Sequence, residues 1–167
     1  MAQTKFEGNV VNTVGDLPSV GEKAPEFALT GVELNEVKLS DYEGQNLVLN
    51  IFPSLDTDVC AASVRKFNKA AGELDNTTVL SVSADLPFAM DRFCVNNGLD
   101  NVVSGSTFRS SFPEDYGVKL LDGPLAGLNT RSVVVIDPEG VVQYVQLVPE
   151  ITTEPDYDAA LEAVKAL

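Results

Sequence analysis

The run LVLNIF at positions 47–52 restricts the possible folds more than any other stretch of this sequence. The run is nearly all apolar, and polar and apolar residues do not alternate along it. A strand that faces solvent on one side would show that alternation, whereas a strand buried on both faces of a sheet does not. The run therefore predicts a central strand covered on both sides.

Two helices and a second strand are predicted after this run. An apolar face at helical spacing predicts a helix from Thr57 to about Leu74, formed by Val64, Phe67, Ala71 and Leu74. Asp56, Thr57 or Asp58 can cap its N-terminus. β-branched residues predict a strand at 76–85, and an initial Pro with a final Asn-Gly predicts a helix at 87–98.

A hairpin and a last helix are predicted beyond a loop-rich middle segment. The apolar runs 131–137 and 141–148 are joined by DPEG, a turn sequence in which Pro138 and Gly140 favour a hairpin. The final helix has Pro155 in its first turn, and its apolar face consists of Tyr157, Ala160, Leu161 and Val164.

The order strand, helix, strand, helix, hairpin, helix is that of a thioredoxin-like α/β sandwich, with helices flanking a central mixed β-sheet. The first forty residues read as short strands and turns, which predicts an added N-terminal β-hairpin or small sheet. The chain has 167 residues and no linker or repeat, so residues 1–167 are predicted to form one domain.

The net charge of −14 argues against binding of nucleic acid or of an anionic membrane, because both require an excess of Lys and Arg. No secretory signal and no apolar stretch of about 18 residues is present, so we expect a cytoplasmic protein. In a reducing compartment, two cysteines are more often free thiols or a catalytic redox pair than a structural disulfide.

The sequence contains no histidine, which limits the available chemistry. A Cys-His or Ser-His nucleophile is excluded, because both use an imidazole as the base. Two cysteines alone cannot complete a tetrahedral thiolate site for zinc, so no metal is predicted. A reactive cysteine in this chain must have its thiolate stabilised by a cation or by a helix N-terminus.

Cys60 is predicted to lie in the first turn of the helix that follows the central strand. The helix dipole there favours an anion by about 0.3–1 kcal/mol at an exposed site. Thr57 lies one turn earlier and can offer a hydroxyl to the sulfur, whereas Asp56 and Asp58 would disfavour a thiolate. From spacing alone, a reactive thiolate and a small buried core cysteine remain equally open.

The pattern P-x-x-x-T-x-x-C, formed by Pro53, Thr57 and Cys60, resembles the active-site signature of the peroxiredoxins. Longer strings resemble the bacterial thiol peroxidase subfamily more narrowly: FPSLDTDVCAASVRKFN, VSADLPFAMDRFC, GPLAGLNTRSVVVID and EITTEPDYDAAL. The similarity extends over essentially the whole chain and keeps these motifs in order.

The resemblance implies a role for each site residue. Cys60 would be the peroxidatic nucleophile, and Cys94 the resolving cysteine that forms a Cys60–Cys94 disulfide within the chain. Thr57 and Arg131 would bind the peroxide and stabilise the thiolate, with Pro53 at the same substrate site. Without the resemblance, Arg131 would be interpreted as part of a surface ion pair, and Cys94 as a buried residue on a helix face.

The resemblance also implies the substrate and the partners. It indicates a peroxidase that reduces hydrogen peroxide and preferentially organic hydroperoxides, is recycled by thioredoxin, forms a homodimer and needs no cofactor. Two other functions remain open. One is a thiol-based peroxide sensor that passes its oxidation to a partner protein. The other is an inert thioredoxin-like binding domain whose cysteines are buried.

Overall fold

A seven-stranded mixed sheet forms the centre of the computed structural model, which describes all residues, 1–167. The strands are β1 (Gln3–Phe6), β2 (Asn9–Asn12), β3 (Ala28–Thr30), β4 (Glu36–Lys38), β5 (Asn46–Ile51), β6 (Thr77–Ser83), β7 (Val102–Ser106), β8 (Ser132–Ile136) and β9 (Val142–Leu147). The helices are α1 (Asp58–Ala71), α2 (Pro87–Asn97), α3 (Phe112–Asp115) and α4 (Tyr157–Lys165), with a 3₁₀ turn at Leu39–Tyr42. The strand order is β4-β3-β7-β6-β5-β8-β9.

The central strand predicted from LVLNIF is confirmed as β5. It pairs in parallel with β6 and antiparallel with β8, and its residues from Leu47 to Ile51 are all buried. Leu49 contributes to the core on one face of the sheet and Val48 to the core on the other. Burial on both faces explains why the run shows no alternation of polarity.

Helices α1 and α4 cover the face of the sheet that includes Val48. Helix α1 ends at Ala71 and α2 at Asn97, within a few residues of the predicted ends. The placement of Pro155 in the first turn of α4 is wrong. That helix begins at Tyr157, because the carboxylate of Asp156 accepts a hydrogen bond from the N–H of Ala159 at 3.0 Å and caps it.

The middle segment is not made only of loops, since it contains β7 and α3. Strand β7 (VVSGS) pairs in parallel with β6, although its Ser and Gly content conceals it from an analysis of β propensity. Gly105 is required there for packing: a Cβ would lie 2.6 Å from Cδ1 of Leu29. The added sheet is also smaller than the predicted forty residues, because only β1 and β2 stand apart while β3 and β4 extend the main sheet.

The predicted hairpin around DPEG is confirmed as β8 and β9, which pair antiparallel. Gly140 has a φ of +83°, as the turn requires. The longest helix, α1, has 14 residues, and none of the helices is both long and apolar enough to cross a membrane.

Candidate active site

Cys60 is fully buried in the first turn of α1, the helix that follows β5 after a short loop. Thr57 is the N-cap residue by its backbone conformation, but its side chain makes no capping hydrogen bond. The prediction of a side-chain cap at this helix is therefore wrong. The uncapped backbone N–H groups and the positive end of the helix dipole both favour negative charge in the turn that holds the sulfur.

The guanidinium of Arg131 contacts the thiol of Cys60. Nη2 lies 3.1 Å from Sγ, across 71 positions of sequence. Arg131 is the residue just before β8, the strand that pairs with β5, and it is only 2% exposed. It takes part in none of the salt bridges of the chain, so its interpretation as part of a surface ion pair is wrong.

A buried guanidinium needs compensation, because transfer of an isolated charge out of water costs several kcal/mol. Two groups compensate Arg131: the carbonyl oxygen of Ile151, which accepts from Nε at 2.8 Å, and the sulfur of Cys60. Nη1 is buried and has no hydrogen-bond partner in the protein. The arrangement can hold a thiolate and still offer a donor to a second polar atom.

The N-terminal hairpin supports Arg131 from the far end of the chain. The Lys5 carbonyl accepts from the N–H of Ile151 at 2.8 Å, and the hydroxyl of Thr4 donates to the Val148 carbonyl at 2.7 Å. Val148 in turn donates its N–H to the carbonyl of Arg131 at 3.1 Å. The sequence analysis missed this support, because contacts between β1 and residues 148–151 leave no local pattern.

Glu150 joins the N-terminal hairpin to the segment that follows β9. Its carboxylate accepts from the backbone N–H groups of Thr152, Gly8 and Glu7, and these bonds lower the pKa of Glu150 to about 2. A carboxyl group with a lowered pKa in the folded state stabilises the protein above its ordinary pKa. That contribution is lost as the pH falls from about 4.5 towards 2.

We therefore expect Glu150→Gln to lower the free energy of unfolding at pH 7, with a smaller difference from the wild type at pH 2.5. Urea unfolding at both pH values measures the two differences. Glu33→Gln is the matched control, because Glu33 is an exposed carboxylate without a hydrogen bond of its own. A difference between Glu150→Gln and wild type that is equal at both pH values would contradict the prediction.

Thr57 and Pro53 lie on the loop that leads into α1. Thr57 is exposed, and its hydroxyl donates to the carbonyl of Ser54 at 3.0 Å, with no hydrogen bond to Cys60. Pro53 is buried two residues beyond the end of β5. The structure thus brings Cys60 and Arg131 into contact, while the Thr57 hydroxyl is bound to its own loop.

A buried polar pair supports the backbone of Cys60 and was not identified from the sequence. The hydroxyl of Ser63 donates to the Cys60 carbonyl at 2.8 Å and accepts from Nδ2 of Asn50 at 3.3 Å. Both side chains are fully buried. The available signal was Asn50 itself, the single polar residue in LVLNIF, because a buried amide requires a partner.

Cys94 lies near the end of α2 and is half-buried. Both cysteines are free thiols, and Cys94 packs against the apolar cluster that contains Cys60, whose buried members are Phe52, Leu55, Cys60, Val64, Met90 and Leu99. Burial raises the pKa of the Cys94 thiol and nearby Asp91 raises it further, while a hydrogen bond with Ser104 at 3.8 Å opposes the shift.

The two helices that carry the cysteines differ in how firmly they are packed. Five of the side chains of α1 are buried, including Val64 and Phe67, whereas α2 buries only Pro87 and Met90. Gly98 closes the C-terminal end of α2 with a φ of +64° and donates to the Cys94 carbonyl. Of the two helices, α2 is therefore the less firmly packed.

Comparison with known proteins places this chain in a known family. Residues 19–161 match the family described as Redoxin. The thiol peroxidase of Corynebacterium glutamicum is 58% identical over 164 residues, covering 98% of this chain and 99% of that protein. The thiol peroxidase of Mycobacterium tuberculosis is 54% identical over 166 residues, covering 99% of this chain and all of that protein.

Solved structures are similar to the whole chain as well. A peroxiredoxin-like protein from Aquifex aeolicus superimposes with a TM-score of 0.94 at 41% identity, covering 99% of this chain and 97% of that one. A thiol peroxidase from Chromobacterium violaceum gives a TM-score of 0.90 at 21% identity with the same coverage, which supports the fold alone. The predicted thioredoxin-like fold, with its mixed sheet, flanking helices and N-terminal hairpin, is confirmed.

Proposed function

We propose a reaction cycle for this chain from the premise that it belongs to the Redoxin family and, within it, to the bacterial thiol peroxidases. The chain is a peroxiredoxin-type peroxidase. The cycle has three steps: oxidation of Cys60 by a hydroperoxide, formation of a Cys60–Cys94 disulfide, and reduction of that disulfide by thioredoxin. Organic hydroperoxides are the preferred substrates.

In the first step, the Cys60 thiolate attacks the terminal oxygen of the hydroperoxide. The O–O bond breaks, Cys60 becomes a sulfenic acid, and the leaving oxygen takes a proton to give an alcohol or water. The single observation that carries this proposal is the 3.1 Å contact between buried Arg131 Nη2 and Cys60 Sγ. A permanently charged, planar guanidinium can stabilise both the thiolate and the charge that develops on the peroxide oxygens.

Two further groups assist this step in our proposal. Nη1 of Arg131 has no protein partner and is a donor for a peroxide oxygen. Thr57 turns its hydroxyl from the Ser54 carbonyl towards the substrate when the peroxide binds, and Pro53 forms the adjacent wall. No cluster of acidic or cysteine side chains is arranged to hold a metal ion, and no step requires one.

In the second step, the Cys94 thiol attacks the Cys60 sulfenic acid, which yields the disulfide and releases water. The two cysteines are on different helices, and a disulfide requires Cα atoms within about 7 Å. We infer that α2, which buries only Pro87 and Met90, unwinds locally and that the loop before α1 shifts, so that Cys94 reaches Cys60.

The substrate and partner assignments come from the family and from apolar side chains on the loop before Cys60 and at the start of α2. Leu55 is buried beside Cys60, and Phe88, at the start of α2, is 64% exposed. These side chains provide apolar surface for an organic peroxide tail. A thioredoxin-type reductant implies a reducing compartment, for which we propose the cytoplasm, and we propose a homodimer as the assembly.

A coupled assay with thioredoxin, thioredoxin reductase and NADPH tests this function. We expect many turnovers per enzyme, with a higher kcat/KM for cumene hydroperoxide than for hydrogen peroxide. Glutathione with glutaredoxin, in place of the thioredoxin pair, serves as the control reductant. Single-turnover oxidation followed by no recovery with thioredoxin would instead favour a sensor that passes its oxidation to another protein.

A further inference from the structure

The carboxylate of Asp85 joins the two segments that lead to the two cysteines. Oδ1 accepts from the hydroxyl of Ser54 at 2.7 Å, and Oδ2 accepts from the N–H of Leu55 at 2.8 Å. Both donors belong to the loop that precedes Cys60. Asp85 itself lies two residues before Pro87, the first residue of α2, the helix that carries Cys94.

Asp85 is also bonded to the ends of two strands of the sheet, β6 and β7. The hydroxyl of Ser83, the last residue of β6, donates to Oδ2 at 2.6 Å. The hydroxyl of Ser106, the last residue of β7, donates to the Asp85 backbone carbonyl at 2.5 Å. The carboxylate thus has three short bonds from neutral donors, and none of the salt bridges of the chain involves it. Bonds to an ionised acceptor are about twice as strong as bonds between neutral groups.

The bonds of Asp85 extend to the residues around the nucleophile. Ser54, which Asp85 holds, accepts from the N–H of Asp56 through its hydroxyl and from Thr57 through its carbonyl. Leu55 packs in the same buried cluster as Cys60. Loss of the carboxylate would therefore remove both bonds that join this loop to Asp85, while the sheet beneath it stays paired.

We propose that Asp85 is a positioning residue that holds the Cys60 loop in the arrangement that reacts with peroxide and that must release it before the disulfide forms. This inference rests on the proposed function. The sulfenic acid on Cys60 has two fates: condensation with the Cys94 thiol, which releases water, or attack on a second hydroperoxide, which gives a sulfinic acid and an alcohol or water. By holding the loop, Asp85 slows the first fate and so sets the ratio of sulfinic acid to disulfide.

The test is Asp85→Asn, which keeps the shape of the side chain and removes its charge. We expect oxidation of Cys60 by peroxide to slow about tenfold, and the ratio of sulfinic acid to disulfide at high peroxide to fall about tenfold, through loss of the charge-assisted bonds. Stopped-flow kinetics measures the first quantity and intact-protein mass spectrometry the second. Asp75→Asn is the matched control, because Asp75 is exposed and lies beyond the opposite end of β6.

Two further variants distinguish positioning from general stability. Ser54→Ala removes one of the three bonds to the Asp85 carboxylate by changing the donor instead of the acceptor. We expect the oxidation rate of Cys60 and the ratio of sulfinic acid to disulfide to fall, but by less than in Asp85→Asn. Ile136→Val weakens the core at the opposite end of the sheet from Asp85. If its loss of Tm is comparable to that of Asp85→Asn, the ratio of sulfinic acid to disulfide should still equal that of the wild type. A ratio within twofold of wild type in Asp85→Asn, or an equal shift in Ile136→Val, would overturn the inference. Absence of the disulfide in the wild type would instead overturn the proposed function.

Discussion

Replacement of Cys60 by serine is expected to reduce peroxide consumption to the uncatalysed background. The serine hydroxyl is almost entirely protonated at neutral pH, and no histidine is present to act as its base. The Arg131 guanidinium can stabilise a thiolate but cannot take a proton from an alcohol. The thioredoxin-coupled assay measures turnover, and a peroxide indicator without reductant measures single-turnover consumption.

Cys94→Ser is the matched variant, since it makes the same substitution at the other cysteine. We expect it to consume one equivalent of peroxide and to form a sulfenic acid that dimedone traps, with little turnover by thioredoxin. Substantial turnover by Cys60→Ser would exclude Cys60 as the nucleophile. Turnover by Cys94→Ser at the wild-type rate would show that thioredoxin attacks the sulfenic acid without an internal disulfide.

Arg131→Met is expected to slow the reaction of Cys60 with peroxide by about 10²–10³-fold, the effect of removing one donor that stabilises developing charge. Methionine fills a similar volume, so the variant should fold. The Ile151 carbonyl loses its buried donor, which should lower the free energy of unfolding by about 1–3 kcal/mol. Stopped-flow kinetics and urea unfolding measure the two effects.

Arg131→Lys separates charge from geometry. Lysine keeps the positive charge, but a single ammonium cannot replace a guanidinium that contacts Ile151 through Nε and Cys60 through Nη2. We expect a rate of Cys60 oxidation between those of Arg131→Met and wild type. A wild-type rate in Arg131→Met would show that the helix N-terminus alone stabilises the reacting thiolate.

The main elements of the fold followed from hydrophobic patterning, and the errors have physical reasons. The run LVLNIF identified β5 because burial on both faces leaves a continuous apolar stretch. Strand β7 was missed because its inner positions are Ser and Gly, whose place in the sheet depends on the packing of Leu29 against Gly105. Propensity carries no information about such a contact.

The candidate site was accessible from the sequence only in part. The position of Cys60 in a first helical turn and of Thr57 one turn earlier followed from local pattern, and the resemblance supplied the roles of Arg131 and Cys94 and the substrate-binding role of Thr57. The contact between Cys60, which follows β5, and Arg131, which precedes β8, joins residues 71 positions apart, and no local pattern encodes it. The support from Asp85 was missed for the same reason, because Leu55, one of its partners on the Cys60 loop, lies 30 positions earlier.

Mass spectrometry after one equivalent of cumene hydroperoxide, without reductant, is the most direct test of the proposed cycle. Peptide mapping under non-reducing conditions should identify one intramolecular disulfide between Cys60 and Cys94, with no residual free thiol. The disulfide should disappear when thioredoxin is added. Recovery of both cysteines as free thiols, or oxidation of Cys94 while Cys60 stays reduced, would contradict the assignment of Cys60 as the nucleophile and Cys94 as its resolving partner.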